Sequence, residues 1–266
     1  MSEGTRSAIF GLFVVAGQAL TASQVIALAA PIGITATNAK SHLTRMVADG
    51  SLIRTGKARL ARYRPSAKQQ DVVAGIQDRL VQSDQTPWNG DWVILVCEGP
   101  ADKEDRDAYY AALWFDGFRP IAPATFARPA WPADWALRQA KHHCFAGGLT
   151  FNARPVGLNR HALNELYELD ALDAQARCLA EELSQLGSDL TPERAFAVRH
   201  LAGGDVARFM GHDPRLPMEM WGRRTGLQRL RTAWHRLEAR TAAPAREFLS
   251  QVLQEHVTIS TGTKNQ

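Results

Sequence analysis

The apolar positions of residues 1–50 recur at helical spacing and predict three amphipathic helices. The first runs over Ser2–Ala16. Thr21 can cap a second helix that ends at Ala30, because Pro31 follows it. Thr35 can cap a third helix, which ends where Asp49 and Gly50 supply a stop signal.

The third predicted helix has two different faces. One face is an apolar stripe of five residues: Ala36, Ala39, Leu43, Met46 and Val47. The opposite face is polar and basic: Thr37, Asn38, Lys40, Ser41, Thr44 and Arg45. Two short β-type segments, 52–54 and 60–64, follow as a hairpin that carries basic residues and no acid. Helix, helix, tight turn, helix and basic hairpin together predict a winged helix-turn-helix over residues 1–68.

The remaining residues predict an α+β chain of several parts. A linker helix lies within 69–86, and the order β-α-β-β-α-β over 87–157 is typical of a ferredoxin-like domain. Residues 158–257 predict a helical domain, followed by a disordered tail at 258–266. Within the helical part, leucines from Leu163 to Leu183 predict one continuous helix, and Pro244 predicts a break before the last helix.

The charge of the chain is unevenly distributed. Residues 1–70 hold nine Lys and Arg against two acids, a net charge of +7, whereas the whole chain is +4. The other residues therefore sum to −3, so a basic head is joined to an acidic body. Such asymmetry is expected of a domain that contacts phosphate, although charge alone leaves a solvated basic face as the alternative.

Composition excludes several classes of protein. The three cysteines, Cys97, Cys144 and Cys178, are odd in number and widely spaced, so they form no disulfide framework. The apolar stretch Ala8–Leu20 is too short and too interrupted to span a bilayer. We therefore expect a cytoplasmic protein with no membrane contact.

The sequence resembles the PaaX-type repressors of phenylacetate and related aromatic catabolic operons. In the head, the run from Gly33 to Gly50 is similar to the recognition helix of that family, with Lys40 where an Arg is usual. Further along, segments in two regions are similar to its Cas2-like (ferredoxin-like) central domain and its helical C-terminal domain: Asp91-Trp92, the helix near Arg106, Gly117-Phe118, Leu169–Leu172, Pro192–Phe196 and Asp213–Pro217. The resemblance implies a repressor, not an enzyme, that controls an aromatic catabolic operon and is released by a pathway metabolite such as an aryl-acyl-CoA.

The residue types of the head predict how it contacts double-stranded DNA. Asn38 can pair with adenine, and Lys40 or Arg45 can address guanine in the major groove. Thr37 and Ser41 are expected to contact either phosphate or the thymine methyl group. Arg59, Arg62 and Arg64 of the hairpin are expected to contact phosphate, and one of them is a candidate to enter the minor groove. Because one head reads few base pairs, we expect a homodimer on a palindromic operator.

A small-molecule effector needs a pocket in the later domains. An acyl-CoA would require cations for its phosphates and an apolar slot for its acyl group. The candidate effector-binding residues are Trp131, Arg199, His200, Trp221 and Trp234.

Other signals are weaker. His142, His143 and Cys144 are adjacent on a predicted helix, so their side chains diverge and predict no metal site. The sequence contains no catalytic motif or nucleotide-binding loop, and we expect neither catalytic residues nor a cofactor. The alternative hypothesis is a metal-dependent nuclease or RNA-binding protein that uses the Cas2-like domain, with Asp91 as the candidate metal carboxylate.

Overall fold

The computed structural model describes residues 3–57, 60–81, 87–144, 148–157, 159–187 and 190–261 of a mixed α+β chain. These residues form two compact units. The first contains Met1–Asp78, Leu179–Arg208 and Arg231–Gln266, and the second contains Arg79–Cys178 and Phe209–Leu230.

The N-terminal part of the first unit alternates short helices with short strands. Its elements are α1 (Glu3–Ala16), β1 (Leu20–Thr21), α2 (Ala22–Ala29), a 3-10 turn (Ala30–Ile32), α3 (Ala36–Ala48), β2 (Leu52–Thr55), β3 (Arg62–Pro65) and α4 (Ala67–Val81). The three strands form an antiparallel sheet in the order β1-β3-β2. The sequence pattern did not predict β1, because a strand of two residues has no periodicity to recognise.

Local capping explains where the second and third helices begin. Gln24 donates its backbone N–H to the Thr21 hydroxyl and its side-chain oxygen accepts the backbone N–H of Thr21, which is a complete capping box. Thr35 caps α3 by accepting the backbone N–H of Asn38 at 3.3 Å. Gly33 lies in the left-handed region at φ 77°, which lets the chain turn sharply between the two helices.

The second unit is built on a four-stranded antiparallel sheet. Its elements are β4 (Trp92–Val96), α5 (Lys103–Phe115), β5 (Arg119–Ala122), β6 (Thr125–Pro129), α6 (Ala133–His143) and β7 (Leu149–Ala153), and the strand order is β5-β6-β4-β7. Ile94 of β4 pairs with Ala127 and with Phe151. The alternate residues Val93 and Leu95 are fully buried in the core that also contains residues of α5 and α6.

A buried arginine holds loops of the second unit together. The guanidinium of Arg128 donates to the backbone carbonyls of Asp116, Pro129, Trp131 and Arg215. Burial lowers the pKa of Arg128 to about 9, so the group stays protonated at neutral pH. A buried charge is tolerated when its donors are satisfied, as they are here by carbonyl oxygens.

The C-terminal half is helical, with two corrections to the predicted boundaries. It contains α7 (Arg160–Tyr167), α8 (Leu169–Gln185), α9 (Pro192–His212), α10 (Met218–Trp221) and α11 (Gly226–Thr261). The single helix predicted from Leu163 to Leu183 was wrong, because Glu168 adopts a left-handed conformation at φ 52° and separates α7 from α8. The side chain of Asn164 accepts the backbone N–H of Asp170 at 2.9 Å and so supports the start of the new helix.

The predicted break at Pro244 was also wrong, because α11 continues through it. A proline inside a helix removes one hydrogen bond and costs about 3 kcal/mol or more. Ala245 and Val252, which follow it, are buried in the apolar core of the first unit. Burial of this face favours one continuous helix over two separate ones.

The described residues extend α11 to Thr261, and residues 262–266 of the predicted tail lie outside them. In the part of the chain that the structure covers, no helix combines the length and the apolar character that a membrane crossing requires.

Candidate nucleic-acid interface

Helix α3 presents a polar face because its apolar stripe is used in the core. Ala39, Leu43 and Met46 are buried, and Val47 is half-buried against the core. The prediction was wrong for Ala36, which is exposed because it is the first residue of the helix. The opposite side carries five predicted DNA contacts, of which Thr37, Asn38, Lys40 and Arg45 are exposed and Ser41 is half-buried. Of these five, Asn38, Lys40 and Arg45 are the ones expected to read bases. Arg45 donates to the Ser41 hydroxyl at 2.8 Å, so these two predicted contacts already lie together.

The two arginines of β3 extend the basic surface. Side chains alternate across a strand, so Arg62 and Arg64 share one face and Tyr63 lies on the other. Tyr63 packs against the core, and both arginines are exposed. Arg62 donates to the backbone carbonyl of Ala19, the residue before β1, at 3.3 Å. The predicted contact Arg59 lies outside the described residues.

An ion pair holds the carboxylate at the end of α3. Arg6 of α1 donates to Asp49 at 2.6 Å and to the Ser51 hydroxyl at 2.7 Å. The Arg6 guanidinium, helped by Ser51, lowers the pKa of Asp49 to about 2. The Arg6 guanidinium therefore offsets the negative charge at the end of α3.

The predicted effector residues are divided between the two units. Trp131 and Trp221 are buried in the second unit, and the indole N–H of Trp221 has no hydrogen-bond partner among the described residues. Arg199, His200 and Trp234 belong to the first unit.

Arg199 and His200 already have partners within that unit. Arg199 pairs with Glu238 at 2.8 Å, and a nitrogen of the His200 ring lies 2.8 Å from the carbonyl oxygen of Ala8. The His200 ring also stacks on Phe196 with an interplanar angle of 16°. These contacts place both side chains in the packing between α9 and its neighbours in the first unit.

Two family models match this chain. A model described as "PaaX-like protein" matches residues 4–69, which include α1 to β3, and a model described as "PaaX-like protein C-terminal domain" matches residues 159–251. The chain belongs to the PaaX-like family. The resemblance seen in the sequence is thereby confirmed.

One curated protein and one solved structure are similar to this chain. The "Transcriptional repressor PaaX" of Escherichia coli (strain K12) is 27% identical over 194 residues, 68% of this chain. This chain spans 61% of the length of that curated relative. Among solved structures, the uncharacterized protein Rv0674 from Mycobacterium tuberculosis has the same fold, with a TM-score of 0.60 and 22% identity over 92% of this chain and 98% of that one.

The sequence reasoning missed one residue of the PaaX-like head. His42 is buried in α3, and its Nε2 atom has no hydrogen-bond partner among the described residues. Burial lowers the pKa of His42 below its usual 6.5, and the nearby Arg45 and Arg6 lower it further. Its position three residues after Ala39 and four before Met46 is the signal that could have identified it as a core residue.

The groups weighed as metal ligands have other partners. His143 is buried and contacts the Asp116 carboxylate at 2.7 Å, whereas His142 is exposed. Asp91 pairs with Arg154 at 3.0 Å. Among the described residues, no three His, Cys, Asp or Glu side chains are grouped as a metal site would require.

Proposed function

We propose that this chain is a transcriptional repressor that binds double-stranded operator DNA through residues 1–68. The observation that carries the proposal is the exposed face of α3, with Lys40 and Arg45, in the same unit as the exposed Arg62 and Arg64 of β3. The repressor function of the Escherichia coli relative and the family match over residues 4–69 support it.

The proposal also assigns a domain type to each part of the chain. Helices α2 and α3 with the β2-β3 hairpin would form a winged helix-turn-helix, and the strand order β5-β6-β4-β7 supports a ferredoxin-like domain over residues 87–157. A linker helix would occupy 69–86, and the helical domain 158–257.

Helix α3 would lie in the major groove and read bases with its exposed residues. Asn38 carries an amide that can pair with adenine, and Lys40 and Arg45 can donate to guanine. Thr37 and Ser41 would contact phosphate or the thymine methyl group. Arg59, Arg62 and Arg64 would bind phosphates of the backbone, which sets the orientation without reading sequence.

The repressor would act as a homodimer on a palindromic site, since two heads related by a twofold axis double the sequence that is read. Release by a metabolite requires that the metabolite bind the DNA-incompetent state more tightly. A metabolite of an aromatic catabolic pathway, such as an aryl-acyl-CoA, would be this effector. Trp131, Arg199, His200, Trp221 and Trp234 stay candidate contacts, and an effector that bound Arg199 would have to displace Glu238.

The DNA-binding part is tested by footprinting the DNA upstream of the gene for this protein, followed by affinity titrations at fixed salt. Replacing Lys40 or Arg45 by Ala should weaken binding by about 1–3 kcal/mol if the residue reads a base. Lys141→Ala is the control, because Lys141 is exposed on α6, in the other unit. A chain with no sequence-specific footprint, or with equal affinity in all three variants, would refute the proposal.

The search for the effector uses the complex of the protein with the DNA segment identified by footprinting. Candidate aromatic acids and their CoA thioesters are titrated separately, and release by one of them identifies the pathway. Sedimentation of the free and DNA-bound protein measures the oligomeric state. One protomer per palindromic site would contradict the proposed dimer.

A further inference from the structure

An arginine-lined cavity lies in the second unit, apart from every residue assigned above. Its volume is about 420 Å³, within the range of small-molecule sites. Five guanidinium groups and two carboxylates line it: Arg160, Arg177, Arg223, Arg224, Arg229, Asp170 and Asp173. The cavity is therefore strongly positive.

The two carboxylates are already engaged by two of the arginines. Arg224 donates to Asp170 at 2.9 Å and to Asn164 at 3.0 Å. Arg177 pairs with Asp173 at 3.0 Å, and the other Asp173 oxygen accepts the backbone N–H of Gly226 at 2.7 Å. These contacts hold the two carboxylates in place. They also occupy the backbone N–H of Gly226, the first residue of α11, so that a ligand cannot bind it.

The other three arginines of the cavity are not paired with a carboxylate. Across the described part of the chain, the exposed guanidinium groups of Arg160, Arg223 and Arg229 make no hydrogen bond or ion pair with another residue. Like charges gathered without counter-charges raise the energy of the folded chain. An arrangement of this kind is stabilised when an anion binds between them.

The backbone at the rim leaves room for a ligand. Gly222 has φ 61° and ψ −119°, a conformation that side-chain-bearing residues rarely adopt. A Cβ atom at this position would lie 3.9 Å from the guanidinium carbon of Arg160. The glycine therefore keeps one side of that guanidinium uncovered.

We propose that this cavity binds a small phosphorylated metabolite through a group with two or more adjacent negative charges, such as a diphosphate. Arginine suits this chemistry because its planar fork donates two parallel hydrogen bonds to phosphate oxygens. A DNA duplex is too wide to enter a cavity of this size, so its backbone is the less suitable source of phosphate. The site does not depend on the proposed repressor function; if that function holds, the cavity would take the phosphate part of the effector.

The test is calorimetric titration of the full chain, without DNA, with inorganic pyrophosphate and with ADP. Adenosine serves as the uncharged control. We expect saturable binding of both anions and none of adenosine. The double variant Arg160→Gln/Arg229→Gln should weaken both affinities at least about tenfold, since hydrogen bonds to charged groups are the stronger class.

Arg138→Gln is the matched control variant, because Arg138 is exposed on α6 of the same unit and does not line the cavity. It should bind both anions as the unmodified chain does. Because the double variant removes unneutralised like charges, its melting temperature without ligand should be unchanged or higher, which separates a lost site from a lost fold.

Absence of saturable anion binding, or equal binding by the double variant, would overturn the proposal. Binding of duplex DNA but not of pyrophosphate or ADP would assign the cavity to the DNA backbone and would also overturn it. A chain that binds pyrophosphate through these arginines but no operator supports this site and refutes only the repressor function.

Discussion

Arg6 in the first helix and Asp49 at the end of α3 form an ion pair of 2.6 Å, although 43 positions separate them in the chain. The pair connects the helix proposed to read DNA to the helix that packs beneath it. Both side chains are partly exposed, at 42% and 38%, so solvent screens the attraction between them.

The first prediction is a small but measurable coupling between these residues. In a double-mutant cycle of Arg6→Gln and Asp49→Asn, the coupling free energy should be positive and below about 1 kcal/mol. The depressed pKa of Asp49, about 2 against 3.8 when unperturbed, adds a pH signature. Stability from the pair is present above pH 3.8 and is lost as the pH falls towards 2. Urea unfolding between neutral pH and about pH 2 measures both the coupling free energy and its pH dependence. Identical pH profiles for the Arg6→Gln variant and the unmodified chain would contradict the assignment of the lowered pKa of Asp49 to Arg6.

The second prediction separates phosphate contacts from base contacts. Arg62→Gln should weaken binding to operator and unrelated DNA alike, because the exposed Arg62 lies on β3, in the same unit as the proposed recognition helix. The plot of log affinity against log salt has a negative slope, and its magnitude should decrease by about 0.9 for one lost phosphate contact. Anisotropy titrations at several salt concentrations measure it, with Arg138→Gln as the control. A loss confined to operator DNA would instead make Arg62 a base-reading residue.

The third prediction concerns acid sensitivity of the first unit. Burial lowers the pKa of His42 and of His200 below 6.5. The neutral rings are therefore favoured in the folded state, and stability is retained above pH 6.5 and lost as the pH falls through the lowered values. His42→Gln should flatten the dependence of unfolding free energy on pH between neutrality and about 5.

His235→Gln is the control for that experiment, since His235 is exposed on α11 of the same unit. It should leave the pH dependence as it is. An unchanged slope in the His42 variant would show that this ring does not contribute to acid sensitivity.

The fourth prediction uses two helical glycines with different surroundings. A Cβ on Gly226 would overlap the Asp173 carbonyl oxygen and lie 2.8 Å from its carboxylate, so Gly226→Ala should destabilise the chain by about 1–3 kcal/mol. A Cβ on Gly204 of α9 meets nothing within 4 Å, and Gly204→Ala should stabilise by about 0.5–1 kcal/mol. Thermal melts of both variants test this, and shifts of the same sign would contradict it.

The head was predictable because its signals are local. Thr21 and Thr35 cap their helices through residues three positions away, and the 3.6-residue period of α3 divides buried from exposed side chains within one element. The polar face of α3 and the basic hairpin could therefore be identified without knowledge of the rest of the fold.

Helix boundaries in the C-terminal half could not be predicted in the same way. The break at Glu168 is supported by Asn164, and the continuity of α11 through Pro244 by the burial of Ala245 and Val252. For α11, tertiary packing outweighs the local preference of the proline backbone. At Glu168 the break depends on a left-handed residue and a side-chain cap, which the spacing of the leucines does not reveal.

By itself, the sequence determined the helices of the head, the charge of their exposed faces and the family, because these follow from residue type and spacing. Only the tertiary structure decided which charged groups meet. Arg6 reaches Asp49, and Arg160 and Arg229 line one cavity although they are distant in the chain. The energy of a charge depends on its neighbours in space, and chain order does not specify those neighbours.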